Sequence, residues 1–136
     1  MDIDSKIKSY QDILDMFDEV EDRYKFLIDL ARKAQPFPEE FRVDTFKVTG
    51  CISQVWLVPK LDGGKIKYFS DSDAMIVKGT VTLISDIYSD STAQEILDNN
   101  KNLMDELNLG NILSMNRRSG AYNMLTMVKT HAKLFV

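Results

Sequence analysis

One cysteine, one histidine and three prolines are spread through 136 residues, and each scarcity closes off a class of protein. A lone thiol forms no internal disulfide, so a disulfide-stapled scaffold is excluded, and a reducing compartment fits the chain. One Cys with one His falls short of a structural zinc set, so no metal is expected. No uncharged apolar stretch approaches the roughly 20 residues that cross a bilayer. The start, Met1-Asp2-Ile3-Asp4-Ser5, is polar and acidic, with neither the basic region nor the apolar core of a secretory signal. The expected location is cytoplasmic. Basic excess is missing too: 17 Lys and Arg stand against 21 Asp and Glu, a formal charge of −4. Such a surface has no general attraction for phosphate, so neither nucleic acid nor membrane is expected as a partner. Glycine-rich phosphate loops, paired-carboxylate motifs and H-E-x-x-H are absent as well.

What is present is the make-up of one ordinary domain over residues 1–136, with 44% hydrophobic and 28% charged residues. Ile7, Tyr10, Ile13, Leu14 and Phe17 recur at steps of three and four and predict a first helix, with Asp4 or Ser5 as N-cap. Asp18 to Glu21 resembles a capping-box restart, and Tyr24, Leu27, Ile28 and Ala31 trace a second helix that Pro36 and Pro38 stop. Cys51 to Val58 is β-branched and aromatic and reads as strand. Asp62-Gly63-Gly64 reverses the chain into Lys65–Phe69, closing an antiparallel hairpin over about residues 51–71. Gly50 and Cys51 therefore fall where a loop enters a strand.

Ala74 to Tyr88 carries β-branched residues, and Gly79 costs a helix about 1 kcal/mol relative to Ala. Its length and the spacing of Ile76, Val77, Val81, Ile84 and Tyr88 favour a buried helix capped by Asp71 or Asp73. Overlapping capping boxes at Ser91 to Glu95 start a further helix that Asn99 and Asn100 end. Leu103, Leu107 and Leu109 predict a short amphipathic piece. A last helix runs from about Ser119 to Lys133 with Met124, Leu125, Val128 and Ala132 on its apolar side. Met75, Met124 and Met127 read as core fillers, Trp56 as a core aromatic, and Lys65 and Lys67 as the solvated face of the hairpin.

Cys51 has two readings. A free cysteine often serves as a small buried hydrophobe. Gly50 before it permits a turn, however, and a loop-to-strand junction can expose a thiol that mid-strand would bury. His131 is the single partner available for a Cys–His dyad, but near the end of the last helix a cation simply complements the dipole.

The residues around the thiol carry a resemblance. Val48-Thr49-Gly50-Cys51-Ile52-Ser53-Gln54-Val55-Trp56 resembles the V-x-G-C-Q-S-Q-V-W signature of the SufE and CsdE sulfur acceptors. Asp71 to Gly79 is similar to the family's D-S-D-A-x-I-V-K-G. Arg117-Arg118-Ser119-Gly120 is similar to its R-x-x-G, and Asp22 to Ile28 to its second-helix segment. The blocks keep the same order along nearly the whole chain. Ile52 departs from the pattern, since the family carries Gln there, and an amide able to hydrogen-bond is lost.

The resemblance implies an α+β fold, a small antiparallel sheet packed with N-terminal and C-terminal helices as in the SufE and IscU folds. It implies a sulfur carrier that is not itself an enzyme. Cys51 would take a persulfide from a SufS- or CsdA-like cysteine desulfurase, stimulate that enzyme, and deliver sulfur to a SufBCD-like scaffold for iron–sulfur cluster assembly. Pyridoxal phosphate would belong to the desulfurase, leaving this chain without a cofactor. Asp73, Arg117, Gly50 and Gln54 are the implied loop-supporting or partner-binding residues. The alternative is a binding module that activates the desulfurase without carrying sulfur. A cluster scaffold needs more thiolates than one.

Overall fold

The computed structural model describes residues 2–136. Among these residues six helices surround one antiparallel hairpin: α1 (Ile3–Asp15), α2 (Val20–Lys33), β1 (Val55–Asp62), β2 (Lys65–Ser72), α3 (Met75–Tyr88), α4 (Ala93–Asp98), α5 (Leu103–Glu106) and α6 (Met115–Lys133). Short 3-10 turns at Glu39–Phe41 and Asp44–Phe46 occupy the stretch before the hairpin for which the sequence predicts no element. The expected α+β class is therefore observed.

The helix starts differ from expectation where burial outweighs capping. Asp2, rather than Asp4 or Ser5, caps α1 by accepting the Ser5 amide at 2.8 Å, which brings the buried Ile3 into the helix beside Ile7 and Leu14. Helix α1 stops at Asp15, where the Arg23 guanidinium donates to the Leu14 and Phe17 carbonyls. No side chain caps α2, so the box read at Asp18 to Glu21 does not form. The Thr92–Glu95 box at α4 does.

Strand β1 buries Val55 to Val58 without alternation because both faces are covered. Val55 and Leu57 join the main core with Ile66, Tyr68, Leu83, Ile84 and Met124. Trp56 and Val58 face a separate cluster of Phe37, Phe41, Phe46 and Phe69. Arg42 lies over this cluster, 4.9 Å from the Trp56 ring and 5.1 Å from Phe37, while donating at 2.7 Å to the buried Asp71 carboxylate. The outer edge of β2 is closed rather than open: Ile66 donates to the Ser91 carbonyl, and Tyr68 donates to the Ser89 hydroxyl.

Helix α3 shows why its glycine is tolerated. A Cβ on Gly79 would run into the Leu27 carbonyl, so the missing side chain lets α2 and α3 approach backbone to backbone. Met75, expected in the core, opens the helix 44% exposed, while Met124 is fully buried. Helix α6 begins four residues before the predicted Ser119, at Met115.

Candidate functional site

The strand predicted from Cys51 begins at Val55, and Thr49 to Gln54 form a loop ahead of it. Val48 donates to the Val55 carbonyl at 2.8 Å and pins the two loop ends together. Gly50 takes φ +80°, and a Cβ there would strike the Asn123 side-chain amide. That amide donates at 3.1 Å to the Gly50 carbonyl, tying the loop to α6.

Asp73 ties the other end. Its carboxylate accepts the Gln54 backbone N–H at 3.0 Å and the Gln54 side-chain amide at 3.4 Å, and its own N–H donates to the Gln54 carbonyl. The expectation that Asp71 or Asp73 caps α3 is therefore corrected. Ala74 holds the cap position without a side-chain bond, Asp73 is engaged by the loop, and Asp71 pairs with Arg42 and, at 3.4 Å, with Lys78. The Ser72 hydroxyl accepts the Ala74 amide ahead of the helix at 3.3 Å.

Between the two ties the Cys51 thiol lies half-buried against α6, 3.8 Å from the Gly120 carbonyl. Gly120 makes room for it: a Cβ there would stand 3.3 Å from Sγ. A cavity of about 350 Å³ opens beside the sulfur, lined in part by Val77, Ser114, Asn116, Arg117 and Gly120. Burial pushes the thiol above its ordinary pKa, and no neighbouring charge offsets that rise. The protonated form, which can donate toward Gly120, is the resting one.

Arg117 is exposed at the cavity rim and makes no hydrogen bond or ion pair among the described residues, whereas Arg118 donates to the Leu113 carbonyl and braces the start of α6. The fold thus gathers Gly50, Cys51, Gln54, Asp73 and Arg117 around one loop. His131 is not among them. It lies eleven residues beyond Gly120 along α6, about 16 Å at 1.5 Å per residue, with its ring stacked on Tyr68. A Cys51–His131 dyad does not form.

Sequence reasoning missed Asn123 and Gly120 as partners of the loop. The signal was available for Gly120, a glycine inside a helical pattern, which often marks a close approach. Asn123 carried none, because an asparagine on the polar side of a helix reads as solvated.

A two-stranded sheet under a helical cover, with a lone cysteine guarded on a loop clipped at both ends, defines a small α+β domain built around one sheltered thiol. A family model described as SufE, Fe-S metabolism associated domain, matches residues 8–132. The chain belongs to the SufE family. It is 35% identical over 133 residues to a SufE-like protein of Rhizobium meliloti, covering 92% of this chain and 95% of that one. It is 32% identical over 115 residues to the cysteine desulfuration protein SufE of Wigglesworthia glossinidia brevipalpis, covering 83% of this chain and 80% of that one. A SufE-like protein of Synechocystis matches at 35% over 113 residues, 83% of this chain and 71% of that one. The solution structure of a hypothetical protein from Thermus thermophilus shares the fold, with a TM-score of 0.77 over 96% of this chain and 95% of that one at 17% identity.

Proposed function

We propose that this protein is a sulfur acceptor for a cysteine desulfurase, carrying sulfur on Cys51 for iron–sulfur cluster assembly. The observation that supports it is the setting of the thiol: one cysteine, held protonated and half-buried on a clipped loop, beside a cavity with an unpaired guanidinium at its rim. A purely structural cysteine needs neither the cavity nor the clips.

In the proposed reaction the Cys51 thiolate attacks the outer sulfur of a cysteine persulfide on the desulfurase. A new S–S bond forms at Cys51, the donor's S–S bond breaks, and the donor cysteine leaves as thiolate with the electron pair. The electrons balance without an added oxidant, and no sulfide is released. Pyridoxal phosphate and the desulfuration chemistry belong to the partner, so the chain is a transfer partner rather than an enzyme. Onward delivery is to a SufBCD-like scaffold in the cytoplasm.

A thiol whose pKa is raised at rest is a weak nucleophile, so docking must free it. Release of the Asp73 and Asn123 ties would swing Cys51 off Gly120 into the partner's site, and Arg117 would face a carboxylate there. The resting loop then limits oxidation of the thiol between transfers.

The test compares wild type with Cys51→Ser as stimulants of the desulfurase in cysteine turnover. Loss of stimulation with retained binding is expected. Full stimulation by Cys51→Ser would replace the carrier with a non-carrying activator.

A further inference from the structure

Exposed apolar side chains scattered singly over a surface carry no meaning. At the Cys51 cavity one of them lines the site itself. Ile52 is 77% exposed and lines that cavity together with the thiol, Val77 and Arg117. Arg117, exposed and unpaired, stands in the same rim. Ile52 does nothing for the loop itself, since the ties run through Gly50 and Gln54.

Geometry forces Ile52 into any transfer complex. The donor sulfur must come within bonding distance of Cys51 Sγ, and the Cα of the next residue is about 3.8 Å from that of Cys51. Both residues also line one cavity, so a partner that enters it to reach the sulfur meets Ile52 as well. A stiff β-branched side chain loses little freedom when covered, and gains by leaving water if its seat is apolar.

Resting on the sulfur-acceptor reading, we infer that Ile52 is a specificity-determining anchor. It seats in an apolar socket at the mouth of the donor desulfurase, with Arg117, in the same cavity lining, meeting an acidic group beside it. The chain is matched to a donor with an apolar mouth and mismatched to one that offers hydrogen-bonding groups at this position.

The experiment uses the full chain with the cysteine desulfurase of the same organism, and measures cysteine turnover against acceptor concentration for wild type, Ile52→Gln and Ile52→Leu. Ile52→Gln should raise the half-saturating concentration roughly tenfold with the plateau unchanged, and Ile52→Leu should stay near wild type. Labelling of Cys51 in the free variants should match wild type, because Ile52 takes no part in the ties. Superimposable curves for Ile52→Gln and wild type, or a fall in plateau alone, would overturn the inference while leaving the sulfur-acceptor reading intact. Failure of wild type to take any sulfur would remove both.

Discussion

Cys51 is held in its less reactive form by its surroundings, and two bonds account for the holding. Asp73→Asn weakens the carboxylate clip on the Gln54 amide, and Asn123→Ala removes the tie to Gly50. Each should raise the rate of Cys51 alkylation in the free protein several-fold, with a fold stability change of about 1 kcal/mol or less for these exposed bonds. Because burial raises the thiol's pKa, wild-type alkylation should also climb at a higher pH than that of an unstructured cysteine peptide, and opening the loop should bring the profile down. Maleimide labelling followed across pH checks both expectations. At this scale the sequence marked Cys51, Gly50 and Asp73; the family resemblance named Asp73 among the loop-supporting or partner-binding residues, while its local reading as a helix cap fails. Asp before a helix is a cap by local chemistry, and only the hairpin's return beside the loop brings Gln54 into its reach.

The elements were more legible than their ends. Stripes of apolar residues at helical spacing placed α1, α2 and α6, and the Asp62-Gly63-Gly64 turn placed the hairpin. The ends moved because tertiary burial overrode local capping, as with Ile3 in α1, and because β1 starts only at Val55, where pairing with Ser72 at the end of β2 begins. Gly79 is the element-scale feature that propensity misjudges. As an interior helix glycine it costs about 1 kcal/mol, yet Gly79→Ala would force the α2 and α3 backbones apart and should destabilise the fold by about 3 kcal/mol. Urea unfolding checks the sign, since an exposed helix glycine changed to alanine gains stability instead.

At the scale of the whole molecule, the site and the histidine lie along one face of α6 but near opposite ends of it. His131 belongs to the C-terminal end, its ring stacked on Tyr68 and its Nδ1 without a partner among the described residues, and burial holds its pKa below the ordinary value. The unfolded chain therefore takes up this proton before the folded one does. Stability from the neutral ring is present above the unfolded histidine pKa of about 6.5 and is lost as pH falls through it. Between pH 7.5 and 5.5 the urea midpoint should drop for wild type and drop less for His131→Phe, with Cys51 labelling in the folded protein the same in both. The family was legible from four sequence blocks, three of which build the loop and its supports, while Asp22 to Ile28 braces α1 and packs on Gly79. The orientation of the thiol against Gly120 was not, since it arises where residues 69 positions apart meet.

The central claim is that Cys51 itself carries the sulfur. Mixing the chain with a desulfurase preloaded with persulfide, removing free cysteine, and recording intact mass under non-reducing conditions tests it most directly. A gain of ~32 Da per sulfur, removed by reductant, mapped to the Cys51 peptide and absent in Cys51→Ser, is the predicted result. An unchanged mass while the desulfurase loses its persulfide would contradict it.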